Sequence, residues 1–255
     1  MVRVIILGSA YSIPDEKHEN THFVVLGNDR TVLVDCVSNP ILRLRQAQVD
    51  FNSLTDLILT HFHPDHVSGV PLLLMDMWLM GRNKPLDIYG LHHTLDRIED
   101  LMGFYDWEHW PNFFPVVFHR LPTGSLTTVI DSPEMRILAS PVRHLIPTIG
   151  LRFEFHTAHR SMAYSCDTEP SSAVVELAAG TDILIHEATG ASLGHSSPAQ
   201  AGQIAREAEV GSLYLIHYPT SEFNREAWLA EARSTFPGPV ILAEDFMHLE
   251  FKDHH

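Results

Sequence analysis

Short apolar segments bounded by turn-forming residues run through the whole chain and predict strands. Residues 2–8, 21–27 and 31–36 are three such segments, and the Gly-Asn-Asp-Arg sequence between the last two favours a hairpin turn. Further segments of this kind lie at residues 54–60, 85–90, 136–142, 151–155, 163–167, 182–188, 213–218 and 239–245. The pattern therefore predicts a protein that is rich in sheet from end to end.

Helical patterns lie between these strands, at residues 38–48, 64–80, 93–105 and 197–210. The last is the clearest, because Ser197 can cap it, Pro198 occupies its first position and Gly211 closes it. Many strands with interspersed helices, and no internal repeat or low-complexity linker, favour a single layered α/β domain over residues 1–255. A chain of 255 residues is long enough to bury a sizeable core in one such domain.

One connection is unusually rich in aromatic side chains: within residues 104–118 it contains Phe104, Tyr105, Trp107, Trp110, Phe113, Phe114 and Phe118. One interpretation is a structural cluster beneath a long connection or at a homodimer interface. The other is an apolar wall of a substrate pocket, since ligand sites are commonly lined by such side chains. The pattern alone leaves both open.

The charge balance narrows the range of partners. Lys and Arg total 17 and Asp and Glu total 32, so the formal net charge is −15. Such a charge argues against broad coating of nucleic acid or of an anionic membrane, but it leaves room for a cationic site made by bound metal ions. The two cysteines suit a reducing compartment, and no apolar stretch is long enough to span a membrane. We therefore expect a cytoplasmic protein. His254 and His255 resemble the remnant of a purification tag.

The strongest chemical signal is the sequence Thr-His-Phe-His-Pro-Asp-His at residues 60–66, which directly follows an apolar strand. Imidazole and carboxylate are the ligand types of zinc and similar divalent ions. In extended backbone, His61 and His63 point to the same side. Asp65 and His66 lie at the turn into a helix, where they can reach a second ion.

A site for two ions needs more ligands than this cluster supplies, and three candidates lie at the ends of predicted strands. His144 follows the apolar stretch at 136–142, Asp167 ends 163–167, and His217 ends the apolar part of 213–218. Any one of them alone has a structural explanation. Together with the cluster they complete the ligand inventory of a two-metal site in which one carboxylate bridges both ions.

These motifs, in this order, resemble the metallo-β-lactamase superfamily and, within it, the ribonuclease Z branch. The sequence THFHPDHVSGVPLLL is similar to the metal motif of that branch, and PVRHLIPTIGLRFE to its third-histidine segment. Residues 164–189 resemble the segment with the bridging aspartate and the His-Glu-Ala-Thr motif, and residues 194–218 the segment with the His-Ser-Thr helix and the last histidine ligand. ILGSAYSIPDEKHENT and AEDFMHLEF resemble the first strand with its loop and the C-terminal strand. The resemblance therefore covers nearly the whole chain.

The resemblance implies a metallo-β-lactamase-like four-layer αββα sandwich with two divalent metal ions. Zinc is the expected ion, and manganese or iron stay open because the same ligands accept all three. The implied ligands are His61, His63 and His144 for one ion, Asp65, His66 and His217 for the other, and Asp167 as the bridge. Hydroxide held between the two ions would then attack a phosphodiester.

The resemblance also implies three catalytic residues: Asp65, which is a ligand as well, Glu187 and His195. Glu187 would orient His195, whose imidazole would donate a proton to the leaving oxygen. Asp35 ends a strand just before the metal motif, and two interpretations of it are open. It either orients a ligand histidine or caps the strand.

Two departures from the ribonuclease Z pattern bear on the substrate. After Asp35 and Cys36 the branch usually continues with Gly-Glu-Gly-Thr, whereas residues 37–40 here are Val-Ser-Asn-Pro. The basic arm with which the branch grips tRNA is also missing, because the stretch between His144 and Asp167 is too short for it. The resemblance suggests tRNA as a partner and these departures argue against it, so we predict a phosphodiesterase-type hydrolase rather than a tRNA 3′-end endonuclease.

Two other functions stay open. The same metal core could hydrolyse a sulfate ester, a lactone or a cyclic nucleotide, since the superfamily changes substrates by changing loops. A metal-binding protein without catalysis could act through the aromatic surface of residues 104–118, although the complete ligand set with Glu187 and His195 argues against this. The same aromatic segment permits a homodimer.

Overall fold

A computed structural model describes residues 1–221 and 224–252 of the chain. Within these residues the chain forms two mixed sheets of seven strands each. The first sheet consists of β1 (Val2–Gly8), β2 (His22–Leu26), β3 (Thr31–Val34), β4 (Asp56–Ile58), β5 (Leu86–Leu91), β6 (Val116–Leu121) and β14 (His248–Phe251). The second consists of β7 (Thr127–Asp131), β8 (Met135–Val142), β9 (Thr148–Phe155), β10 (Arg160–Tyr164), β11 (Ile183–Glu187), β12 (Ser212–Ile216) and β13 (Val240–Leu242).

The two sheets have matching topologies. In the first, the order is β14-β1-β2-β3-β4-β5-β6, antiparallel as far as β3 and parallel from β3 to β6. In the second, the order is β13-β12-β11-β10-β9-β8-β7, antiparallel from β7 to β10 and parallel from β10 to β13. Parallel strands bring their carboxyl ends to one edge of a sheet, where loops can gather functional side chains.

Helices cover the outer faces of both sheets. The first sheet carries α1 (Pro40–Gln46), α2 (Pro64–Val67), α3 (Val70–Leu79) and α4 (His92–Gly103), and the second carries α5 (Ser172–Ala178), α6 (Pro198–Glu207) and α7 (Arg225–Arg233). In β1, Val4 and Ile6 pack between the sheets while Ile5 and Leu7 pack against the helices. Strands with both faces buried are apolar throughout, which is why they appear in the sequence as continuous runs. The predicted four-layer αββα sandwich is confirmed.

The helix predicted over residues 64–80 is in fact two helices, α2 and α3, which meet at Gly69. The Gly69 amide donates to the Cys36 carbonyl over 2.9 Å, and a Cβ at this position would lie 2.7 Å from the Val37 backbone. The chain therefore comes too close to the end of the first sheet at Gly69 for a straight helix. The break leaves Asp65 and His66 on a short helix of their own, beside the strand ends.

Several elements lack a clear sequence signal. β6 and β7 were not predicted because they are edge strands with half-exposed faces, so neither has a long apolar run. α5 is too short to show helical periodicity, and α7 is strongly polar. The strand predicted over residues 239–245 is shorter in the structure, where only β13 is a strand. The predicted hairpin turn between β2 and β3 is confirmed: the Gly27 amide donates to the Arg30 carbonyl over 2.8 Å.

The aromatic connection packs on the helical layer of the first sheet. Trp110 stacks on Trp78 of α3 with ring centroids 4.9 Å apart, and Trp107 meets Phe113 edge-on at 5.7 Å. Phe114 is buried in the same layer. These contacts confirm the structural-cluster interpretation for this part of the segment. The homodimer stays a prediction.

No helix in the described part of the chain has both the length and the apolar character needed to cross a bilayer. His254 and His255 lie outside the described residues.

Candidate metal centre

The candidate metal ligands lie at one edge of the sandwich, each just beyond the carboxyl end of a strand. His61 and its neighbours follow β4, His144 follows β8, Asp167 follows β10 and His217 follows β12. The structure brings every ligand predicted from the sequence into two adjoining donor sets. The first set is His61, His63 and His144, and the second set is Asp65, His66, Asp167 and His217, with the donor atoms of each set within 4.8 Å of one another.

The first set consists of three imidazoles. His61 Nε2 lies 3.1 Å from His63 Nδ1, and His144 Nε2 lies 3.2 Å from the same atom. Burial lowers the pKa of His61 well below its usual value and also lowers the pKa values of His63 and His144. The three rings therefore favour the neutral form, which is the form that binds a metal ion.

The second set combines two carboxylates with two imidazoles. Asp167 Oδ1 lies 3.5 Å from His66 Nε2, and its Oδ2 lies 3.4 Å from His217 Nε2. Asp65 Oδ2 lies 3.7 Å from His66 Nε2 and 3.5 Å from His217 Nε2. These spacings are longer than ordinary hydrogen bonds.

The pKa shifts in the second set indicate that its carboxylates favour a cation beside them. Burial acts to raise the pKa of Asp167, but His217 and His66 outweigh it and hold that pKa well below its usual value. Burial acts to lower the pKa of His66, but Asp167 and Asp35 raise it well above its usual value. The carboxylates therefore keep a cation beside them, which a divalent ion can supply in place of the imidazolium proton.

Three buried polar atoms of the second set have no hydrogen-bond partner within the described residues: His66 Nε2, Asp167 Oδ1 and His217 Nε2. Leaving a buried polar atom without a partner costs about 1–3 kcal/mol. Imidazole nitrogens and carboxylate oxygens are the ligands of zinc and related ions. The residues present therefore fit a divalent metal ion.

The far nitrogens of His66 and His144 are held by the protein. Asp35 Oδ2 accepts a hydrogen bond from His66 Nδ1 over 2.8 Å, and the Gly194 carbonyl accepts one from His144 Nδ1 over 2.7 Å. Both acceptors fix the proton on Nδ1 and leave Nε2 free for a metal. Of the two interpretations of Asp35, this contact supports the one in which it orients a candidate ligand histidine.

Thr60 extends the same support to the first set. Its hydroxyl and its backbone amide both donate to Asp35, at 2.9 Å for each shortest contact. The single hydroxyl hydrogen is used in this bond, so the oxygen accepts from His61 Nδ1 over 3.1 Å. Asp35 is thus connected directly to His66 and, through Thr60, to His61.

Glu187 and His195 form a pair beside the two donor sets. Glu187 Oε1 accepts from His195 Nδ1 over 3.1 Å and from the Ser196 amide over 2.9 Å. Burial acts to lower the pKa of His195, but the bond and the charge of Glu187 outweigh it and raise that pKa. The His195 ring lies 5.1 Å from the ring of His144. The pair therefore favours the protonated form of an imidazole beside the candidate metal centre.

The family is shown by a profile described as the Beta-lactamase superfamily domain, which matches residues 30–218 and so covers most of the chain. The chain belongs to the beta-lactamase superfamily. Within it, the ribonuclease Z of Methanothermobacter thermautotrophicus is 27% identical over 308 aligned positions, which cover 99% of this chain and 97% of that protein. The aligned positions outnumber the 255 residues here, so that relative contains segments that this beta-lactamase superfamily member lacks.

Two solved structures share the superfamily fold along their whole lengths. Human tRNase Z, short form, is 25% identical with a TM-score of 0.78, and the match covers 98% of this chain and 99% of that one. The metallo-beta-lactamase fold protein YhfI from Bacillus subtilis is 22% identical with a TM-score of 0.83, covering 97% and 98%. This superfamily member is accordingly a metal-dependent hydrolase of the ribonuclease Z-like type, and its fold carries divalent metal ions, typically two.

Sequence reasoning missed three residues that support the ligands: Thr60, Thr189 and Gly194. Gly194 has φ +82°, and a Cβ there would lie 2.9 Å from His144 Nδ1, so only glycine brings its carbonyl to that nitrogen. The sequence signal was the glycine directly before His195. Thr60 and Thr189 gave no such signal. Thr60 acts together with Asp35 and Thr189 acts on His217, and both of these partners are distant in sequence.

Proposed function

We propose that this superfamily member hydrolyses phosphodiester bonds of RNA at a centre of two zinc ions. His61, His63 and His144 would hold one ion, Asp65, His66 and His217 the other, and Asp167 would bridge them. The observation that carries the proposal is the place of Asp167 between the two sets: its oxygens lie 3.5 Å from His66 Nε2 and 3.4 Å from His217 Nε2, and one of them is also within 4.8 Å of a ring nitrogen of His144. When bound, two such ions supply a nucleophile from water at neutral pH and stabilise the charge that develops on the phosphate.

The chain's own groups have two tasks in this reaction. Asp35, Thr60 and Gly194 keep the ligand rings oriented and their Nε2 atoms free, as the hydrogen bonds at Nδ1 require. Glu187 holds Nδ1 of His195, so that the protonated Nε2 can donate to the leaving oxygen as the P–O bond breaks. Asp65, whose Oδ2 lies near both His66 Nε2 and His217 Nε2, would complete the second set.

The relatives named ribonuclease Z support RNA as the substrate class. Between His144 and Asp167, a stretch that the structure describes in full, the chain forms only β9 and β10 joined by residues 156–159. No arm that could grip a folded RNA is inserted there. We therefore expect short RNA phosphodiesters to be cleaved more readily than precursor tRNA, because affinity for a large RNA depends on its phosphate contacts.

The test is elemental analysis of the purified protein combined with a substrate panel. The panel contains a short RNA, precursor tRNA, a bis-aryl phosphodiester, a sulfate ester and a lactone, each assayed with added Zn²⁺, Mn²⁺ or Fe²⁺. Two ions per chain and hydrolysis of the phosphodiesters support the proposal. A single ion in fully active protein would contradict the two-metal centre. Hydrolysis of the sulfate ester or lactone alone would contradict the substrate class.

A further inference from the structure

Thr189 lies directly beyond β11 and contacts the same histidine twice. Its Oγ1 is 2.8 Å from His217 Nδ1 and 2.9 Å from the His217 carbonyl oxygen. A hydroxyl has one hydrogen, and a carbonyl oxygen can only accept. The Thr189 hydroxyl therefore donates to the carbonyl, and the imidazole must donate from Nδ1 to the hydroxyl oxygen.

This arrangement settles which nitrogen of His217 is available to a ligand. With the proton on Nδ1, the lone pair is on Nε2, which lies 3.4 Å from Asp167 and 3.5 Å from Asp65. The His217 side chain is almost completely buried, so water has little access to exchange the two nitrogens. Among the described residues, Thr189 supplies the side-chain contact to His217 Nδ1.

The backbone of His217 also needs support. Its φ is +54°, a left-handed conformation that costs a non-glycine residue about 1–3 kcal/mol and persists only where neighbours hold it. The His217 amide donates to the Ser9 carbonyl over 2.9 Å, and its carbonyl accepts from Thr189. One hydroxyl thus restrains both the strained backbone of His217 and its ring.

We propose that Thr189 is the positioning residue that fixes the tautomer and the backbone conformation of His217, and thereby the affinity of the second donor set for its ion. The inference rests on the proposed role of His217 as a ligand. It predicts an effect confined to that set, because the link from Thr189 to Glu187 runs through the Thr189 backbone amide, over 2.8 Å, and survives any change of side chain.

The test compares Thr189→Val, which removes the hydroxyl at nearly constant volume, with Thr189→Ser, which keeps it. Thr181→Val is the matched control: Thr181 precedes β11 as Thr189 follows it, and its buried hydroxyl donates to the Ala178 carbonyl over 2.9 Å without touching a histidine. Zn²⁺ affinities are measured by chelator competition. We expect Thr189→Val to lower the affinity for one of the two Zn²⁺ ions by about 10- to 100-fold, which is the range for loss of a residue that orients a ligand. Thr189→Ser and Thr181→Val should match the wild type.

A second measurement does not depend on metal. Nitrogen-15 NMR of the histidine side chains in metal-free protein, at a pH where the His217 ring is neutral, reports which nitrogen carries the proton. We expect the Nδ1–H form in the wild type and Thr189→Ser, and the Nε2–H form to gain population in Thr189→Val. An Nε2–H form in the wild type would overturn the inference even if Thr189→Val failed to fold.

The two proposals fail in different ways. A wild type that binds fewer than two Zn²⁺ ions contradicts the proposed metal centre, while the NMR result still decides the role of Thr189. A wild type that binds two ions, together with a Thr189→Val variant of equal affinity and unchanged tautomer, overturns the role of Thr189 alone.

Discussion

The two donor sets of the metal centre differ in charge and in burial. The first set consists of neutral imidazoles, two of which, His63 and His144, are partly exposed. The second set has two carboxylates, and both of its imidazoles, His66 and His217, are almost completely buried. Buried carboxylates without a cation cost far more free energy than neutral rings near solvent. We therefore expect the second set to bind its ion more tightly.

The difference predicts that two ions bound in these sets would not be equivalent. Asp167 belongs to the second set but faces the first across His61, whose protonation it influences. A change to this shared carboxylate should affect both ions, whereas a change to a ring of one set should affect one.

The largest effect is expected from Asp167→Asn, which removes the negative charge that both ions would share. We expect loss of both ions and of measurable phosphodiester hydrolysis, because the remaining ligands no longer neutralise two dications in a buried site. Elemental analysis and a phosphodiester assay test this. Asp131→Asn, at the exposed end of β7, is the control and should behave like the wild type. Two ions retained at wild-type affinity would show that Asp167 is not shared.

The next effect is loss of a single ion. His63→Ala removes the imidazole whose Nδ1 lies closest to both His61 and His144 in the first set. We expect one ion to be lost, the second ion to keep its affinity, and hydrolysis to fall steeply because both ions take part. Elemental analysis and chelator competition measure this, with the exposed His156→Ala as control. Retention of both ions would remove His63 from the ligand set.

A third effect should leave both ions in place. His195→Ala removes the proposed proton donor, and a general acid contributes about 10²–10⁴-fold. Hydrolysis should fall by that factor for a phosphodiester with an alkoxide leaving group and much less for one with a nitrophenolate, which leaves without a proton. Metal content should stay at two ions per chain.

The same role of His195 also predicts the direction in which activity changes with pH. The pKa of His195 is raised, which favours the protonated ring, and activity should fall as the pH rises through that pKa. In His195→Ala this basic limb should be absent. Equal losses on both leaving groups, with both ions present, would instead indicate that His195 positions the phosphate.

The comparison also explains what the sequence could and could not predict. Residues 60–66 carry four of the seven candidate ligands in one segment, so local spacing was enough to find them. His144, Asp167 and His217 were recognisable because buried strands have apolar runs, and a polar residue stands out where each run ends. The fold was predictable for the same reason, since strands buried on both faces are apolar throughout.

The parts that could not be predicted depend on contacts between distant segments. The break at Gly69 follows from the close approach of residues 36 and 37, and the role of Thr60 depends on the position of Asp35 just beyond the neighbouring strand β3. Such contacts have no period along the chain. Edge strands β6 and β7 were missed because half-exposed strands lose the apolar run that marks the others.

The smallest effect is expected from changing the side chains that accept hydrogen bonds from Nδ1 of the candidate ligand histidines. Asp35→Asn replaces the carboxylate that accepts from His66 Nδ1, and the amide keeps its size. We expect the ion of the second set to weaken by about 10- to 100-fold. Thr60→Val is the matched change on the other side: it removes the acceptor of His61 Nδ1 and keeps the bond between Asp35 and His66. It should lower the affinity for the ion of the first set instead.

Chelator competition on both variants, with the ions resolved by the order in which they are lost, measures the two affinities. Equal weakening of both ions by each variant would mean that Asp35 and Thr60 act as one unit on the whole centre, and that the two sets are not supported separately.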